Sequence, residues 1–134
     1  MPGLDAAHAA NLVDGSLGTA AFVATTGPIH VRYMTANGSA TANGTELATS
    51  GGYTSGAGAP TVTFASASTT TGQAASNSAV STTNMPATTV VGVELWDSAG
   101  TPKRKWWGAL TASKTTASGD TFTIASGSLT ATDL

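Results

Sequence analysis

Lys103-Arg104-Lys105-Trp106-Trp107 is the run whose side chains could do chemistry together. Basic groups interleaved with indoles can grip single-stranded nucleic acid or stack a sugar ring. The same run can be an ordinary strand, with one tryptophan in the core and Lys and Arg in solvent beside a turn. Between these lies an interface: one tryptophan is buried, and the other packs with Arg104 on a neighbouring subunit. Trp and Arg are the types most enriched at interface hot spots. The net charge of −2 makes nucleic acid the weakest reading. The interface reading fits best, with Trp96, Arg104, Trp106 and Trp107 as its candidate residues.

Elsewhere the chemistry is sparse. His8 and His30 are the two histidines, and neither has a second ligand at a recognised spacing, whereas metal sites want about three or four. The carboxylates Asp5, Asp14, Glu46, Glu94, Asp97, Asp120 and Asp133 are scattered, and a glycosidase would need two of them to meet across a substrate. Asp97 and Asp120 read better as turn residues. With no cysteine there is neither a disulfide nor a thiolate metal site, which fits folding in a reducing cytoplasm. Gly52 to Gly58 lacks the Gly-Lys-Ser/Thr ending of a phosphate loop. Thr111-Ala112-Ser113-Lys114 imitates Ser-x-x-Lys without supporting partners. Asn37-Gly38-Ser39 and Asn43-Gly44-Thr45 match the glycosylation pattern, but no secretion signal accompanies them. The expectation is a protein with no catalytic residues, no cofactor and no metal.

The basic–aromatic run must be held by a hairpin. Val91, Val93 and Leu95 alternate against Gly92, Glu94 and Trp96, and Asp97 to Pro102 supplies turn chemistry. On the return, Arg104, Trp106 and Leu110 share one face, and Lys105, Trp107 and Ala109 the other. Large rings bury more area than the Ala and Thr around them, so the other strands should pack on this hairpin.

Further strands are expected at residues 28–35, where Ile29, Val31 and Tyr33 alternate with His30, Arg32 and Met34, and at 45–48, 61–65, 77–83, 121–125 and 128–132. Asn37-Gly38 and Asn43-Gly44 mark a tight loop or small ribbon. Residues 66–76, almost all Ser, Thr, Ala, Gly and Gln, read as disordered or as an edge strand. One helix is expected over residues 3–14, capped by Asp5, stopped by Gly15, with Leu4, His8 and Leu12 as its buried stripe. Phe22 should anchor the connection that follows. The sum is an all-β fold, an antiparallel β-sandwich of jelly-roll-like character with one short N-terminal helix. Residues 1–27 form a helix and connecting arm, and 28–134 the sandwich domain.

The charged fraction is 9% and the aromatic fraction 6%, so a lone subunit has few bulky side chains with which to build a core. Association with further copies, as a trimer or other ring, would supply the missing burial. No apolar run approaches the ~20 residues of a membrane span, and the N-terminus lacks the basic start of a secretory signal. No membrane insertion is expected.

Several stretches together resemble a family of small bacteriophage structural proteins, commonly labelled tail fibre or minor structural proteins. They are Gly44-Thr45-Glu46, Gly51-Gly52-Tyr53, Val93 to Asp97, Trp107-Gly108-Ala109-Leu110, Lys114-Thr115 and Gly119-Asp120. The resemblance runs from about Ala6 to Thr132. It implies a virion component made in the bacterial cytoplasm, present in many copies, with itself and capsid or tail proteins as partners. Decoration of the capsid and a place in the tail are both compatible with it. The alternative is an adhesion module, with Trp106 or Trp107 stacked on a host-envelope sugar.

Overall fold

In the computed structural model, which describes residues 3–132, antiparallel strands are the main regular structure. Among the described residues, ten strands and one α-helix follow one another as β1 (Gly3–Leu4), α1 (Ala6–Leu17), β2 (Ile29–Ala36), β3 (Thr45–Glu46), β4 (Thr61–Val62), β5 (Gln73–Ala75), β6 (Val80–Met85), β7 (Thr88–Trp96), β8 (Arg104–Thr116), β9 (Asp120–Ile124) and β10 (Thr130–Thr132). Every strand pairing is antiparallel. One sheet has the order β1-β8-β7-β2-β3, with β4 also on β2, and two ribbons, β6–β9 and β5–β10, complete the sandwich.

The core lies between these layers. Val31, Tyr33, Val93 and Leu95 from the sheet meet Val80, Met85, Phe122, Ile124 and Leu129 from the opposing ribbons and their connections. Tyr33 is its centre. Its ring stacks on Tyr53 at 4.8 Å and meets Phe122 edge-on at 4.8 Å, geometries that suit the ring quadrupole. Its hydroxyl shares a 2.8 Å hydrogen bond with Thr82. Tyr53 donates to Glu46 Oε1 at 2.8 Å and accepts the Tyr33 N–H at 3.2 Å. Burial raises both phenol pKa values above the ordinary 10.0.

The helix keeps its expected cap, since Asp5 Oδ1 accepts the Ala7 N–H at 3.0 Å. Its end differs. Gly15 lies inside the helix, and Gly18, in the left-handed region at φ 70°, closes it. Gly15 is needed mid-helix because Phe22 folds back onto it: a Cβ there would sit 2.9 Å from the Phe22 Cβ. Asn11 fastens the same arm, donating to Val23 O at 3.0 Å and accepting Val23 N–H at 3.1 Å. Leu4 belongs to β1 rather than to a helical stripe, while His8 and Leu12 are half-buried. Of the Ser/Thr-rich segment, Gln73–Ala75 forms the edge strand β5 against β10. Asp133 lies outside the described residues.

Candidate functional site

The β7–β8 hairpin forms as its alternation requires, joined by a turn in which Asp97 Oδ1 accepts the Lys103 N–H at 2.7 Å. Its faces differ from simple alternation in two places. Leu95 pairs with Trp106 but Trp96 pairs with Arg104, so Lys105 is the extra residue of a β-bulge. That one-residue slip turns Arg104 away from the Trp106 side and onto the side of Glu94, Trp96 and Trp107. A second shift falls between Val90 and Gly92, and Val90, not Val91, joins the core. β8 also runs on to Thr116, past the expected end at Leu110.

The outer face of this hairpin is covered. The loop between β2 and β3 folds over Gly92, where an added Cβ would collide with the Asn37 side chain and lie 2.6 Å from Gly108 O. The two Asn-Gly turns therefore build a lid. Beneath it Glu94 is 1% exposed and Arg104 4%. Arg104 donates through Nη1 to Glu94 Oε1 at 3.0 Å and to Ala42 O at 2.8 Å, and through Nη2 to Asp5 Oδ2 at 2.8 Å and Ser39 O at 2.6 Å. Its Nε reaches Asp5 Oδ2 at 3.0 Å. One guanidinium thus ties together the helix cap, the lid and the central strand. Glu94 Oε1 also accepts the Gly44 N–H at 2.7 Å, and its Oε2 accepts Trp96 Nε1–H at 3.0 Å.

A second ion pair closes the hairpin tip: Lys105 Nζ lies 3.2 Å from Asp97 Oδ2. Burial on its own would raise the Asp97 carboxyl. Hydrogen bonds from the Lys103 N–H and from Lys105, with the Lys105 charge, outweigh it and bring the pKa below the ordinary 3.8. Arg32 sits 3.5 Å from Glu46 and stacks its guanidinium 4.0 Å above the Trp96 ring. His8 is held below its ordinary 6.5, first by burial and then by the Lys105 charge.

The sequence-selected residues thus occupy different places. Trp96, Arg104 and Trp107 share the outer face, but Arg104 is enclosed with its donors taken up inside the chain. Trp107 lies under β1, packed against Gly3 and donating to Leu4 O at 3.3 Å. Trp96 lines a groove of about 420 Å³ between Asn11 of the helix, Val23 of the arm and Pro102 and Lys103 of the turn. Trp106 faces the other way and packs against the core beside a second cleft, which shares His8 and Lys105 with the groove. Asp5 and Glu94 converge on Arg104 as its counter-charges, and Asp120 caps its own turn by accepting the Ala117 N–H at 2.8 Å.

Sequence reasoning missed the apolar side chains that the helix and arm leave in water, of which Val23 lines the Trp96 groove. Val13 is 55% exposed, Leu17 71%, Phe22 54% and Val23 63%. Phe22, expected to anchor the connection, does pack on Gly15, yet it keeps more than half its surface in water. The signal was available, because the helix carries Leu12, Val13 and Leu17, too wide a set for one buried stripe.

Comparison with curated proteins found no match. A family model does match, over residues 3–132, and its description is "Podophage GP4 fiber I protein gp80". Because that match spans almost the whole sandwich, from β1 to β10, the chain belongs to the podophage GP4 fiber I protein family, a family of bacteriophage fibre structural proteins.

Proposed function

We propose that this protein is a repeated fibre subunit of the virion, which joins copies of itself through the apolar helix–arm surface and the adjoining Trp96 groove. The observation that carries the reading is that Val13 and Leu17 of the helix and Phe22 and Val23 of the arm all stand in water on a chain otherwise short of large apolar residues. Large apolar side chains left in water by both helix and arm are surface that a docking partner would cover. Asn11 and Gly15 hold the arm against the helix, so the surface is preformed and loses little entropy on docking. Arg104 acts from behind, fixing the helix start and the hairpin that frame the groove. Ser- and Thr-rich strands elsewhere meet water without adding charge. The fibre description favours a projecting assembly over a shell-bound capsid decoration.

The test is to locate and count the protein on purified particles. Gold-labelled antibody against the chain should decorate projecting fibres, and quantitative mass spectrometry should give several copies per fibre. Label spread evenly over the shell, or absence from the particle, would overturn the reading.

A further inference from the structure

The two sides of the sandwich are finished differently. On one, residues 61–65 lace the layers together. Thr61–Val62 pairs with β2 of the sheet, and beside β5 of the opposing ribbon Thr63 O accepts the Asn77 N–H and Ala65 N–H donates to Ala75 O, both at 3.0 Å. Val62 turns into the core, Phe64 is half-buried, and Thr61, Thr63 and Ala65 face water. On the other side no strand does this among the described residues. The outer edge of β8 is paired only at Trp106 and Trp107, by β1, and β9 pairs only with β6. Between these two edges lies a groove of about 570 Å³, which shares no lining residue with the Trp96 groove or with the cleft beside Trp106. Its floor is Phe122, Ile124 and Leu129, and half-buried Leu110 stands on its wall. Lys114, exposed and in no ion pair among the described residues, is the one charged side chain that lines it. An unpaired edge is a template for another strand, with main-chain bonds giving affinity and alternate side chains giving specificity.

We propose that this groove receives an extended segment of a different polypeptide, which pairs with the β8 edge and closes the open side as residues 61–65 close the other. The segment carries apolar side chains at alternate positions, as Val62 and Phe64 do, and these cover the floor. It runs antiparallel to β8, the longer free edge, so its N-terminal end meets Lys114, and a carboxylate there completes the charge. A second copy is a poor donor. Its own alternating strands around Val31, Val93 and Phe122 are already paired, and two β8 edges laid side by side would leave both floors uncovered. The groove lies apart from the helix–arm surface, so this docking does not rest on self-association there.

The test titrates the intact, isotope-labelled chain with the peptide acetyl-Glu-Thr-Val-Thr-Phe-Ala-amide and follows its backbone amides by NMR. Amides of residues 108–114 and 121–125 should shift saturably, with a Kd of about 1 mM or tighter. The rearranged peptide acetyl-Glu-Thr-Thr-Val-Phe-Ala-amide, which breaks the alternation, should bind at least about tenfold more weakly. Lys114→Glu should weaken the first peptide about threefold at low ionic strength and favour a version that begins with Lys. Ala125→Trp, which fills the groove from an exposed position, should abolish binding with the thermal midpoint unchanged. No saturable shift up to about 5 mM peptide, equal binding of the rearranged peptide, or binding that survives Ala125→Trp would overturn the proposal. So would the same amide shifts on concentrating the chain without peptide, because the occupant would then be a second copy.

Discussion

Replacing Arg104 by Met is the most informative single perturbation of this fold. Met keeps much of the side-chain length and removes the charge. Glu94, 1% exposed, then loses its cation, and Asp5 loses two hydrogen bonds. The carbonyls of Ser39 and Ala42 lose donors at 2.6 and 2.8 Å. Stranding one partner of a buried ion pair costs about 3–5 kcal/mol, a large share of the roughly 5–15 kcal/mol that holds a domain together. At a urea slope of about 2 kcal/mol/M, a loss of about 4 kcal/mol moves the unfolding midpoint down by about 2 M. The assay is urea unfolding followed by tryptophan emission and far-ultraviolet dichroism at one fixed protein concentration. Adding Glu94→Leu to Arg104→Met should recover part of the loss, because the stranded carboxylate is gone. A midpoint shift under about 0.5 M for Arg104→Met, equivalent to about 1 kcal/mol, would refute the reasoning that this guanidinium fastens cap, lid and strand.

Stability should peak between the ordinary histidine and tyrosine values, 6.5 and 10.0. His8 has a lowered native pKa, so the unfolded chain takes up its proton first, and stability falls as pH drops through 6.5 toward the native value. Asp97 adds stability above the unfolded 3.8 that is lost as pH falls through its lowered native value. Tyr53 has a raised pKa, so the unfolded chain ionises first and stability declines above pH 10.0. Thermal midpoints at constant ionic strength check all three limbs, and a midpoint that rises from neutral to acid pH contradicts the account. Gly92→Ala should cost about 1–3 kcal/mol by forcing a methyl into the space of Asn37 and Gly108 O. Hydrogen exchange should then quicken in residues 37–44, and unchanged protection there would show that the lid does not rest on Gly92.

Much of this fold was legible because alternation survives in a chain dominated by small residues. The strand at Ile29–Ala36, the tryptophan hairpin and Asp120–Ile124 all announce themselves by side chains of period two. What stayed hidden depends on partners far away in sequence. Nothing local marks Gly3–Leu4 as a strand, since two residues carry no period and their partner is Trp106–Trp107. The Lys105 bulge leaves no trace in residue type, yet it decides which face Arg104 occupies. Asp5 and Arg104 meet across 99 positions, a pairing that one sequence cannot report. Glu94, alone among valines and leucine on a buried strand, was the visible hint that a cation had to lie opposite.

The central claim, that copies of this chain join through the helix–arm surface, is tested most directly by sedimentation velocity over a range of concentrations. Natural protein should sediment as an assembly that dissociates on dilution. Leu17→Glu combined with Val23→Glu, at positions 71% and 63% exposed, should give a monomer with an unchanged thermal midpoint at high dilution. A natural chain that stays monomeric at the highest concentration, or an assembly indifferent to both substitutions, would contradict it.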